Sequence, residues 1–293
     1  MLIFVVIVGI VLFITSSVWY LMNIFSRCCH SYMNIEQFSQ LAISQRKQNE
    51  DDDGEDRVVK DMFMNCPFYR SNHIQSDFDY VQLYQYIHDF CCNKSLYTNR
   101  PGPVCPFLPV AFKKGCIYFF DDIYSTNKQQ LIQTVRKCRH DFLSVLKPTE
   151  YENRNLVVYK CLIILVRSTS ISHRLIDQVQ VELKPEFVLN YGLMLGEFHS
   201  SSNSPAIKNN DFYPLRTQVP LLVIRYLVAN DILFLNQKDR YSKELRVKFI
   251  KTYFDLEKNG LLHSTKDYHL SLAKEILNEL NNENENQKTF VER

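Results

Sequence analysis

Two short segments concentrate the residue types that carry chemistry. In Arg100-Pro-Gly-Pro-Val-Cys-Pro-Phe-Leu-Pro109, four prolines hold Cys105 in a loop that loses little entropy on ordering. A cysteine fixed near Arg100 can have a depressed pKa and act as a nucleophile, or serve as a soft ligand to a metal or haem. The plainer reading is a buried thiol in a structural turn. In Gly192-Leu-Met-Leu-Gly-Glu-Phe-His-Ser200, His199 falls at the carboxyl end of an expected strand, where sites in sheet proteins gather. Its plainer reading is a hydrogen-bonded structural histidine. Farther on, Arg225 and Asp231 interrupt an otherwise apolar run. Buried charges persist only when paired, so these two imply an internal ion pair or a pocket that reads a substrate carboxylate. Cys105 and His199 are thus the candidate catalytic residues and the candidate metal ligands. Arg100, Arg225 and Asp231 are the candidate substrate contacts.

Standard signatures are absent. No Gly-rich phosphate loop, His-Glu-x-x-His, Cys-x-x-Cys or Gly-x-Ser-x-Gly occurs. Cys138 and His140, two apart on an expected helix, point to different faces, so no zinc site of known spacing is supported.

The elements that must position these residues follow from hydrophobic period. Phe78, Val81, Tyr84, Ile87 and Cys91 recur at helical spacing after a Ser76 cap. The four-proline stretch is neither helix nor central strand. A short strand is expected over Cys116 to Phe120, and a helix over Lys128 to Leu146 with Leu131, Ile132, Val135, Cys138 and Phe142 inward. Leu156 to Val166 is the clearest strand. Arg174 to Val181 reads as helix and Tyr191 to Phe198 as a further strand. Pro220 to Leu235 reads as an almost wholly apolar helix, and Tyr241 to Lys258 as an amphipathic one with Tyr241, Leu245, Phe249, Ile250 and Tyr253 inward, stopped by Gly260. A last helix is expected from Tyr268 to Leu280, followed by a polar, frayed tail. The fold class is α+β: a small mixed sheet flanked by helices, preceded by one N-terminal transmembrane helix.

That transmembrane segment is the strongest compositional feature. Met1 to Phe25 carries no charged side chain, and 20 of its 25 residues are apolar. At about 1.5 Å per residue such a helix crosses a hydrocarbon core of about 30 Å. No Lys or Arg precedes it, and Arg27, Arg46 and Lys47 follow it, so the positive-inside bias puts the remainder of the chain on the cytosolic side. An odd count of nine cysteines, with adjacent pairs at Cys28-Cys29 and Cys91-Cys92, is a poor disulfide framework and agrees with a reducing compartment. Residues 26–72 read as a tether, with six acids in the seven positions 50–56. Without those six, 34 basic residues face 26 acidic ones, a modest surplus that suits proximity to anionic lipid. The overall charge of +2 excludes a dedicated nucleic-acid binder. The expected divisions are an anchor over 1–25, the tether, a globular domain over 73–260, and a C-terminal helix and tail over 261–293. The oligomeric state is not legible.

The segment Arg-Pro-Gly-Pro-Val-Cys-Pro-Phe at 100 to 107, taken with Gly-Leu-Met-Leu-Gly-Glu-Phe-His at 192 to 199, resembles an uncharacterised domain family of bacteria and fungi. Pro220, Arg225, Asp231, Phe234 and Leu235 extend the resemblance, which covers about residues 76 to 258. The Cys-Pro-Phe and Phe-His elements are also faintly similar to haem-dependent oxygenases that hydroxylate nitrogen in small amines and amino-acid derivatives. In those enzymes Phe-His continues with Pro, whereas this chain has Ser200. The resemblance implies a small-molecule site with haem as cofactor, Cys105 or His199 as its ligand and Arg225 as a substrate contact. The functional expectation is a membrane-anchored, cytosol-facing domain of that kind. Its alternative is a non-catalytic membrane-tethered interaction protein.

Overall fold

The computed structural model describes residues 32–34, 82–114, 116–144, 154–262 and 266–291. The expected anchor over 1–25 lies outside them. Among the described residues no helix is long and apolar enough to cross a membrane.

The domain is a mixed sheet with helices on its faces, in agreement with the α+β expectation. Its strands are β1 (Tyr32–Asn34), β2 (Ile117–Asp122), β3 (Cys161–Val166), β4 (Leu193–Phe198) and β5 (Leu221–Tyr226). They lie in the order β1-β2-β3-β5-β4. β2 and β3 are parallel, Ile117 opposite Cys161, and the crossover between them carries α2 (Lys128–Ser144). β5 is antiparallel to both β3 and β4, and β1 is antiparallel to β2. The short edge strand β1 comes from the expected tether, so that segment contributes to the sheet and is not spacer throughout.

Side-chain alternation splits the sheet into two buried faces. On one face Tyr118, Leu162, Ile164, Val166, Leu193, Leu195, Leu222 and Ile224 pack against α2 and against α3 (His173–Tyr191). On the other, Ile117, Phe119, Cys161, Ile163, Leu165 and Leu221 pack against Leu83 and Ile87 of the first helical segment and Ala111 of α1 (Leu108–Lys113). That first segment includes a π-helical turn, Gln85–Cys91, where the chain widens before the proline-rich loop. A third apolar cluster joins α4 (Ile232–Leu235), α5 (Lys243–Lys258) and α6 (Asp267–Val291) to Val188 and Met194. Ser172 and Ser242 cap α3 and α5, each accepting from the N–H three residues on.

Four element expectations are corrected. Pro220 to Leu235 is not a helix: Leu221–Tyr226 is β5, followed by a 3-10 turn, Ala229–Asp231, and the one-turn α4. A short run with apolar side chains on both faces shows no period, and the apolar residues after it lengthened it to helix size. The clearest strand begins at Cys161 rather than Leu156, because Arg154–Tyr159 forms a 3-10 turn. Two helices run longer than expected. α3 passes through Pro185 to reach Gly192, with Leu183, Phe187 and Val188 buried. α6 continues to Val291 where a frayed tail was expected, and it buries Ala273, Ile276 and Leu280 against α5.

Candidate functional site

The proline-rich loop folds back onto the end of the π-helical turn. Val104 and Cys105 donate their backbone N–H groups to the carbonyls of Asn93 and Cys91, both at 2.9 Å. Arg100 is turned into its own loop, Nη2 donating to the Val104 carbonyl at 2.6 Å. Gly102, at φ 93°, supplies a backbone angle that a side chain would resist. Arg100 therefore braces the loop.

Cys105 is half-buried, in the electrostatic range of Cys91, Cys161 and Arg225. Cys161 and Arg225 are register partners across β3 and β5, so the loop thiol and the guanidinium share one sheet face. Burial pushes the Cys161 thiol up to about 12 and Cys92 up to about 11, and the Cys105 thiol adds to both. These neighbours stay protonated and inert at neutral pH. Cys91, Cys92, Cys105, Cys116, Cys138 and Cys161 are all free. Among the described residues no group of three or more His, Cys, Asp or Glu could hold a metal.

Arg225 and Asp231 find each other. Arg225 donates from Nη1 and Nη2 to the two carboxylate oxygens, each at 2.6 Å, and from Nη1 again to the Tyr226 carbonyl at 3.0 Å. Asp231 also accepts from the Val228 N–H at 2.8 Å. The carboxylate side chain is 2% exposed and the arginine 29%. Burial opposes the Arg225 charge, but Asp231 outweighs it and holds the group above its ordinary value. The pairing uses the Nη1/Nη2 end of the guanidinium. The Nε–H and the second Nη2–H have no partner among the described residues, which leaves one side of the fork open.

That open side lies on an incompletely covered stretch of sheet. Phe119, Ile163 and Leu165 are buried on this face, whereas Gly196, Phe198, Val223 and Arg225 on β4 and β5 are only half-buried. A Cβ built on Gly196 would meet nothing but the Phe198 ring, at 3.2 Å. Tyr86 closes one end, its ring edge-on to Phe198 at 6.5 Å and its hydroxyl donating to the Pro214 carbonyl at 2.5 Å. This half-covered apolar stretch, with a fixed guanidinium at its edge, is the candidate cleft.

His199 is elsewhere. It follows Phe198, which faces the cleft, and its ring turns to the opposite face, toward α3. There it is 1% exposed, with Nε2 at 2.9 Å from Asp177 Oδ1 and Nδ1 at 3.2 Å from Ser201 Oγ. His173, the first residue of α3, stacks on it at 4.7 Å and reaches the same Ser201 hydroxyl at 2.8 Å. Both His199 ring nitrogens are engaged, and Cys105 stands on the other side of the sheet. The two residues do not form one centre, and with both ring nitrogens engaged His199 does not fit the role of haem ligand that the resemblance implied.

The structure thus unites Cys105 with Arg225 and Asp231, returns Arg100 to its own loop, and separates His199. Sequence reasoning missed Tyr86, Gly196, His173, Asp177 and Ser201. Only the His199-Ser-Ser201 spacing was a local signal; the others converge through tertiary contact. A family model described as Domain of unknown function (DUF6875) matches residues 80–259. No curated protein and no solved structure matches the chain.

Proposed function

For this chain, which belongs to the family described as Domain of unknown function (DUF6875), we propose a membrane-tethered domain that binds a small carboxylate in the cleft beside the proline-rich loop. Met1 to Phe25 anchors it in a bilayer, and the domain faces the cytosol. The ligand's apolar body lies over Gly196, Val223 and Phe198, and its carboxylate meets the Nε/Nη2 side of Arg225. Cys105 borders the ligand as a polarisable wall.

The observation that carries this reading is the Arg225 fork. Asp231 fixes its plane through one end and leaves the other side available, a preorganised geometry for bidentate recognition. The full chain in detergent micelles, titrated with aryl and alkyl carboxylates and with the matching amides, tests it. Acids should raise the melting temperature and amides should not, and Arg225→Lys should abolish the difference. Equal response to acids and amides, or none to either, would sink the proposal. For the anchor, a glycosylation tag after Arg293 should remain unmodified in microsomes; modification would reverse the topology.

A further inference from the structure

On the face of the sheet away from the cleft, we propose that Ser201 is an activated nucleophile, with His199 as its base, for acyl transfer from a small ester to water. The argument starts from the directions of the hydrogen bonds. A carboxylate can only accept, so the 2.9 Å contact fixes His199 with its proton on Nε2, pointing at Asp177. Nδ1 then carries the lone pair. Ser201 must donate its hydroxyl proton across the 3.2 Å contact to that nitrogen. The hydroxyl oxygen is left as acceptor for the second imidazole, His173 Nδ1–H, at 2.8 Å. The chain His173 to Ser201 to His199 to Asp177 therefore has one polarity throughout. It delivers the serine proton to a base whose tautomer an acid fixes, which is what a nucleophilic hydroxyl requires.

The surroundings suit that role. Ser201 is exposed while His199 is buried, so the substrate, and after acylation the hydrolytic water, approach the base from the serine side. The turn is closed without the serine hydroxyl, by the Ser202 N–H donating to the His199 carbonyl at 3.1 Å. Arg216 Nε holds the Ser202 carbonyl at 2.8 Å and Arg240 Nη2 holds Ser204 Oγ at 3.0 Å, which pins the backbone on the far side of the nucleophile. His173 opens α3, whose first N–H groups lack intrahelical acceptors and whose positive end favours a developing oxyanion. Burial and the neighbouring His199 both lower the His173 pKa, while Asp177 raises it, and the net shift favours the neutral donor.

The reaction balances without a further reagent. Ser201 Oγ forms a bond to the ester carbonyl carbon, and the carbonyl electron pair moves to its oxygen. The serine proton passes to His199 Nδ1. Collapse breaks the carbon–alkoxy bond, and the departing alkoxide takes that proton. Water then attacks the acyl-serine with the same base, releasing the acid and restoring the hydroxyl. The net change is ester and water to acid and alcohol.

The test uses the full chain in detergent micelles, a fluorophosphonate probe with peptide mapping, and turnover of p-nitrophenyl acetate. The adduct should map to Ser201. Ser201→Ala should abolish labelling, and Ser200→Ala should leave it unchanged. Asp177→Asn, at a half-exposed surface position, can donate to Nε2 and so invert the tautomer. It should slow labelling by about 100-fold or more with the fold intact. An adduct on another residue, no adduct on the native chain, or undiminished labelling of folded Asp177→Asn would each overturn the proposal. Where Ser201→Ala does not fold, the position of the adduct on the native chain decides. The cleft plays no part in this site, so carboxylate binding can fail while labelling succeeds, and the reverse.

Discussion

Arg225 and Asp231 meet end-on through two hydrogen bonds of 2.6 Å, one residue half-buried at the end of β5 and the other buried in the turn that follows. The pair closes that turn, since Asp231 also takes the Val228 N–H at 2.8 Å. Removing the acid alone leaves a guanidinium facing a dry wall and a backbone donor without an acceptor. Asp231→Ala should therefore cost about 3–5 kcal/mol, whereas the double replacement Arg225→Met with Asp231→Leu should recover much of that loss. Urea midpoints of the three chains check it. A single variant no less stable than the double one would mean the pair contributes nothing to the turn.

Gly196 separates cleft occupancy from stability. A side chain here meets only the Phe198 ring, which can swing by the few tenths of an ångström needed, and a β-branched residue favours the strand. Gly196→Val should keep the melting temperature within a few degrees while it fills the floor beneath a bound carboxylate. Melting and ligand titration on one preparation give both numbers. Undiminished binding would remove Gly196 from the site.

The fold was legible where one face of an element meets water. α2 and α5 showed their period because their outer faces are charged, and Leu131, Ile132, Val135, Cys138, Phe142, Phe249, Ile250 and Tyr253 all lie where the spacing put them. β5 was not legible, since Leu221 to Ile224 place apolar side chains on both faces of the sheet and leave no polar alternation to reveal the period. The helix read over Arg174 to Val181 runs on through Lys184-Pro185, a pair that ordinarily stops a helix. Pro185 removes one helix bond, yet Leu183, Phe187 and Val188 keep the helix docked. Of the candidate site, the charges of Arg225 and Asp231 in an apolar run announced a partnership without saying with whom. Asp177 and Ser201 carried no signal, because a half-exposed acid on a helix and a serine in a polar loop are ordinary until His199 brings them together.

Lys184 makes stability depend on pH. Its ammonium donates to the Phe234 carbonyl at 3.1 Å and lies 5.3 Å from the Tyr241 ring centre, almost wholly buried. Burial outweighs the attraction of Glu197 and Asp231 and pushes its pKa down to about 8, from 10.5. Below about 8 both states hold the proton, and the cost of burying the charge is fully present. Between about 8 and 10.5 the folded chain has released the proton while the unfolded chain keeps it, so stability rises with pH. The full span is on the order of 3 kcal/mol. Lys160, also buried and lowered to about 8, adds in the same direction. The Cys91, Cys92 and Cys161 thiols, raised by burial, pull the other way above about 9. The clean measurement is therefore the difference between the native chain and Lys184→Met in urea from pH 7 to 9. It should narrow as the pH rises, and a difference independent of pH would place the lysine charge in solvent.

Gly192 and Gly260 both occupy left-handed backbone, at φ 61° and 66°, yet they should not respond alike to a methyl group. Each ends a helix, and an alanine at either pays the strain of that conformation, about 1 kcal/mol. At Gly260 nothing lies within 4 Å of the new carbon, so the strain is the whole cost. At Gly192 the carbon would stand 3.0 Å from Leu256 Cδ2 and 3.3 Å from Cδ1, and Leu256 is packed between α5 and the end of α3. Leu256 must change rotamer or α5 must shift, which adds an overpacking term of about 1–3 kcal/mol. Gly192 also immediately precedes β4, and the Leu227 N–H donates to its carbonyl at 2.9 Å, so a shift there reaches the strand that carries Gly196 and leads into His199. Gly192→Ala should thus lose about 2–4 kcal/mol in urea unfolding and weaken both carboxylate binding and Ser201 labelling, while Gly260→Ala loses about 1 and leaves both unchanged. Equal losses at the two positions would mean that α5 yields freely to α3.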